Sequence, residues 1–100
     1  MRLHFQQSGG FAGLVKGAEF DTATLPVGQA RALERLVHES GITSSGEFRS
    51  TAARDLWQYD ITIEDGNRNV SISFDDGTVP NGAVALLRYL KKHARPQALS

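Results

Sequence analysis

Residues 56–77 read LWQYDITIEDGNRNVSISFDDG, and the alternation inside this stretch decides the fold. Trp57, Tyr59, Ile61 and Ile63 fall on one face and Gln58, Asp60, Thr62 and Glu64 on the other, the period-two pattern of a half-buried strand over residues 56–64. Asp65-Gly66 is a hairpin turn signal. Val70, Ile72 and Phe74 then alternate with Ser71, Ser73 and Asp75, so the second run is expected to pair antiparallel with the first, and Asp76-Gly77 closes it.

Working outward towards the amino terminus, residues 2–6 alternate with Leu3 and Phe5 on one face, a strand ending at Gln7. The next six residues, Ser8, Gly9, Gly10, Phe11, Ala12 and Gly13, include three glycines and read as a loop. Leu14–Asp21 resumes an extended pattern with Leu14, Ala18 and Phe20 on a shared face, imperfectly, because Val15 lies opposite them. A first hairpin results. Thr24-Leu25-Pro26 opens a helix whose stripe is Ala30, Leu33, Leu36 and Val37, ending near Ser40-Gly41 where glycine suits a left-handed cap.

Residues 41–54 are rich in Ser, Thr and Gly without a sustained period, and read as a long surface connection with a short helix or turn near Glu47. After Pro80, Ala83, Leu87, Leu90 and Ala94 recur at helical steps, and Lys91, Lys92, His93 and Arg95 crowd the end where positive charge complements the helix dipole. Pro96 is expected to stop this helix. The order is ββαββα. The expected fold class is α+β, a four-stranded antiparallel sheet with two helices packed on one face, forming a single domain over residues 1–100.

Composition agrees with one self-sufficient core: 100 residues, 40% hydrophobic and 22% charged. Lys plus Arg and Asp plus Glu balance at 11 each, leaving no net positive field to gather phosphates, so a nucleic-acid partner is not expected. There is no cysteine, hence no disulfide, thiolate ligand or thiol nucleophile. The opening MRLHFQQSGG alternates instead of forming a continuous apolar run, so neither a signal peptide nor a membrane partner is expected, and the chain reads as cytoplasmic.

Motifs for chemistry are few. His4, His38 and His93 sit in three different elements without metal-ligand spacing, and are read as surface histidines, the latter two near helix ends. Glu64-Asp65-Gly66 and Asp75-Asp76-Gly77 lack the oxygen ligands of a calcium loop and read as turns. No GxSxG or SxxK motif is present, and SGGFAG lacks the GK[ST] ending and the following helix of a phosphate loop. Trp57 and Tyr59, without a basic surround, read as core and not as a base-stacking platform. No catalytic residue, metal ligand or cofactor is expected, and the chain reads as a small non-enzymatic binding domain.

FQQSGGFAGL, then LWQYDITIEDG, DDGTVP and LLRYLKKHA, in that order, resemble the emfourin family over nearly the whole chain. Emfourins are protein inhibitors of thermolysin-like metallopeptidases of the protealysin type. The resemblance implies a tight, reversible complex with such a peptidase, closing a cleft whose zinc belongs to the peptidase. The glycine-rich hairpin loop is suited to closing that cleft, because small residues let the backbone enter a narrow space and Phe11 is a single large apolar side chain to anchor it. The expected inhibitory interface is therefore Ser8, Gly9, Gly10, Phe11, Ala12 and Gly13, with Glu47, Phe48 and Arg49 as secondary candidates. Two alternatives stand beside this reading. Phe11 could plug an end of the core, and the chain could be an adaptor or assembly protein binding another protein through a sheet edge or the same loop.

Overall fold

The computed structural model describes residues 1–9, 14–48 and 57–96. Its elements in chain order are β1 (Arg2–Gly9), β2 (Leu14–Asp21), α1 (Val27–Glu39), β3 (Gly46–Glu47), β4 (Gln58–Asp65), β5 (Arg68–Asp75), α2 (Val84–His93) and β6 (Arg95–Pro96). A 3-10 turn at Asn81–Ala83 leads into α2.

The hairpin expected from residues 56–77 is present, with β4 and β5 antiparallel from Gln58↔Asp75 to Asp65↔Arg68. Its loop is Gly66-Asn67, where Gly66 has φ +62° and Asn67 does not share the positive sign. That combination belongs to a type II′ turn, whose twist matches the strands it joins. β1 is one of the two central strands: it pairs antiparallel with β2, with Leu3 opposite Phe20, and with β4, with Leu3 opposite Ile63 and Phe5 opposite Ile61.

This register places Leu3, Phe5, Tyr59, Ile61, Ile63, Val70, Ile72 and Phe74 on one face, where Leu33 of α1 and Leu86, Leu87 and Leu90 of α2 join them in one buried cluster. Each large side chain so buried contributes roughly 1.5–3 kcal/mol relative to leaving it in water. Tyr59 is the hinge of the packing, with ring centroids 6.2 Å from Phe5 and 5.6 Å from Phe74. The opposite face is polar: His4 Nδ1 lies 2.9 Å from Glu19 Oε1, Ser73 donates to Asp60, and Thr62 meets Ser71. The two-layer α+β architecture is thus as expected, with α1 ending in Ser40 and a left-handed Gly41 at φ +73°.

The sheet itself differs. It has six strands in the order β3-β5-β4-β1-β2-β6 and is mixed, not four-stranded and antiparallel, because β3 runs parallel to β5 through Gly46↔Ile72 and Glu47↔Ser73. Near Glu47 the chain is therefore strand where a short helix or turn was expected. Nor is the connection after α1 wholly superficial, since Ile42 is buried in the core. At the carboxyl end α2 stops at His93, before Pro96, and Arg95–Pro96 pairs with Gly17 and Lys16 of β2. A proline is acceptable there because an outer strand needs no donor on its free side. Both additions are two residues long, too short to show a period, and both occupy backbone groups that the four-stranded sheet would leave open at its edges.

Candidate functional site

Strand direction gathers the candidate residues that are described, Ser8, Gly9, Glu47 and Phe48, at one end of the sheet. β1 runs to that end, where Gly9 pairs with Leu14 and Ser8 with both Val15 and Gln58. β4 starts there and β5 finishes there, with Gln58 opposite Asp75. β3, parallel to β5, runs towards the same end, and the Phe48 N–H extends the pairing by donating to the Ser73 carbonyl at 2.7 Å. Ser8 and Gly9 therefore share an end of the molecule with Glu47 and Phe48. Three strand intervals separate β1 from β3, about 14 Å at about 4.8 Å per interval.

Gly9 has φ 119°, a conformation that a side chain would strain, so the last residue of β1 needs to be glycine. Gly10, Phe11, Ala12 and Gly13 of the primary candidate loop, and Arg49 of the secondary group, lie outside the described residues, and so does the choice between anchor and plug for Phe11. Phe48 is described. It is 52% exposed and the one exposed aromatic side chain among the described residues. Its ring lies against Gly46, where an added Cβ would come within 2.9 Å of Phe48 Cε2. A large apolar group is thus held at the surface on a backbone that is hydrogen-bonded into the sheet.

Behind this end, the turn after β5 is fixed from two sides. The Trp57 N–H donates to Asp76 Oδ2 at 3.3 Å, the Asp76 N–H donates to the Trp57 carbonyl at 3.2 Å, and the Tyr59 hydroxyl donates to Asp76 Oδ1 at 2.5 Å. Burial, then the hydrogen bond to Asp76 and its negative charge, push the Tyr59 hydroxyl well above the usual phenol range. Asp75, fully buried, accepts from the Gly77 N–H at 2.8 Å and from the Thr78 hydroxyl at 3.2 Å. Asp76-Gly77 is a turn directly after Asp75 ends β5, as is Gly66-Asn67 after Glu64-Asp65. The Tyr59–Asp76 pair is not anticipated by the sequence reading. The available signal was a tyrosine on a core face with a carboxylate just past the end of the partner strand.

The histidines are dispersed as expected: His4 on β1 beside Glu19, His38 in the last turn of α1 and His93 in that of α2. Among the described residues no group of three or more His, Cys, Asp or Glu could hold a metal ion, and no helix is long and apolar enough to cross a membrane.

The Emfourin family model matches residues 5–91, from within β1 into α2, a span that takes in α1 and β2 to β5 whole. No curated protein and no solved structure matches the chain.

Proposed function

The chain belongs to the emfourin family, whose members inhibit metallopeptidases, and on that premise we propose that it is an inhibitor of thermolysin-like zinc peptidases. It binds its target tightly and reversibly and occludes the active-site cleft; the zinc is the peptidase's own, and the chain is not itself an enzyme. The family match over residues 5–91 is the observation that carries this reading. The primary contact is the loop of Ser8, Gly9, Gly10, Phe11, Ala12 and Gly13, and the secondary contact is Glu47, Phe48 and Arg49. Two features support the pairing of these segments: Gly9 and Phe48 sit at one end of the sheet, and the Phe48 backbone is pinned by Ser73. A contact held in place before binding loses little entropy on association.

Cleft occlusion is tested by competition. Saturating the peptidase beforehand with a small zinc-directed inhibitor is expected to slow complex formation in proportion to cleft occupancy. Complex formation at an unchanged rate would place the contact away from the cleft.

A further inference from the structure

The chain is neutral overall, but its charges are segregated along the sequence and in the fold. From Gly77 to Ser100 there is no Asp or Glu, while Arg88, Lys91, Lys92 and Arg95 supply four positive charges; residues 1–76 therefore carry the compensating four negative charges. The open sheet face carries Glu19, Asp21, Asp60 and Glu64, among other acids. Arg88, Lys91, Lys92 and Arg95 are all exposed, whereas Arg2 is paired with Asp21 and His4 sits beside Glu19 on the open sheet face.

Their place in the fold relates them to the inhibitory end. Lys91 Nζ sits 5.5 Å from the centre of the Tyr59 ring, and Tyr59 is paired with Gln7, one residue before Ser8. Lys16 of β2 is also paired with Gln7, so it lies in the same cross-strand row and on the same, helix-covered face as Tyr59, whereas Arg95, paired with Gly17 opposite Gln6, belongs to the open face. Arg88 lies one helical turn before Lys91 and Lys92. The helix dipole explains a base or two in the last turn of α2, but it does not explain Arg88 in mid-helix or the absence of any acid in α2. Like charges at this spacing oppose helix formation, so their accumulation on one exposed stripe favours an external counter-charge.

We infer that Lys16, Arg88, Lys91 and Lys92 form a basic rim that docks on an acidic protein surface bordering the cleft of the target peptidase. The inference rests on the inhibitory reading and adds a second, electrostatic component to it. The rim guides the approach and orients the loop end towards the cleft, while the apolar contacts hold the complex once formed. Rim charges of this kind act mainly on the association rate and are screened by salt.

The test measures association and dissociation rates with a thermolysin-like peptidase that the wild type inhibits, at about 20 mM and about 300 mM NaCl, where screening lengths differ by several-fold. The proteins are wild type, Arg88→Gln/Lys92→Gln and Arg88→Glu/Lys92→Glu, each checked for folding by circular dichroism. At low salt the Glu variant is expected to associate roughly tenfold more slowly and the Gln variant to fall between, with the three converging at high salt and dissociation changing less than about twofold. Equal, salt-independent association rates for folded variants would overturn the rim while leaving inhibition intact. Absence of inhibition by wild type would remove the inhibitory reading and the rim together. A DNA duplex that binds wild type but not the Glu variant, with peptidase association unchanged, would assign the rim to nucleic acid and overturn the inference.

Discussion

Tyr59 donates a 2.5 Å hydrogen bond to Oδ1 of Asp76, joining a buried, core-facing residue of β4 to the first residue after β5. The bond links the core to the turn that carries the chain towards α2. Tyr59→Phe keeps the ring in the core and removes only the donor. It is expected to lower stability by roughly 1.5 kcal/mol, the low end for a bond to a charged acceptor, because Asp76 is exposed. Urea unfolding measures it.

The same pair sets an alkaline limit on stability. The folded-state pKa of Tyr59 is raised above its ordinary value of 10.0. The folded chain therefore holds this proton where the unfolded chain releases it, and the stabilisation is fully present below the unfolded value and declines as pH rises above about 10. Tyr59→Phe should show a shallower loss of stability in that range. An identical alkaline profile in the two proteins would mean that Tyr59 does not govern it.

Two glycines with opposite surroundings should respond oppositely to alanine. Gly82 in the 3-10 turn faces the end of α1, where an added Cβ would lie 2.8 Å from the Ser40 carbonyl oxygen, so Gly82→Ala forces backbone apart and is expected to destabilise by about 1–3 kcal/mol. Gly28 in the first turn of α1 has nothing within 4 Å of an added Cβ. Gly28→Ala should stabilise by roughly 0.5 kcal/mol through helix propensity and a less flexible unfolded chain. Thermal midpoints of the two variants should move in opposite directions.

The legible parts of this fold are those in which side-chain pattern and backbone structure coincide. Trp57 to Phe74 announces the β4–β5 hairpin by strict alternation, and Gly41 marks the end of α1 because a left-handed residue is needed there. Gly46–Glu47 and Arg95–Pro96 are not legible as strands, since a two-residue strand is defined by its distant partner and not by any period of its own. Ile42 is hidden in a Ser- and Thr-rich segment, and Leu86 does not stand out beside Leu87. At the candidate site the composition of residues 8–13 is visible, but its alignment with Phe48 follows from β3 running parallel to β5, a tertiary pairing that spacing does not encode.

Phe48 offers a direct probe of the secondary contact. Being half-exposed, it contributes little to the core, so Phe48→Ala should change folding stability by no more than about 0.5 kcal/mol. As an interface anchor its loss should weaken inhibition about tenfold or more. Unchanged inhibition by the folded variant would remove Phe48 from the contact surface.

For the primary loop, Phe11→Ala and Gly10→Val are expected to weaken inhibition while leaving the fold intact, the first by deleting an anchor worth about 2 kcal/mol and the second by adding bulk to the approaching backbone. A core plug behaves differently: Phe11→Ala would then cost roughly 3–5 kcal/mol of folding stability, and inhibition would fall only with the folded fraction. Urea midpoints set beside inhibition constants separate the two roles.

The inhibitory role itself is tested most directly by titrating the purified chain into a fixed concentration of a thermolysin-like peptidase well above the expected dissociation constant. Activity is predicted to fall linearly towards zero near equimolar inhibitor. Undiminished activity at a several-fold excess, across several such peptidases, would contradict it.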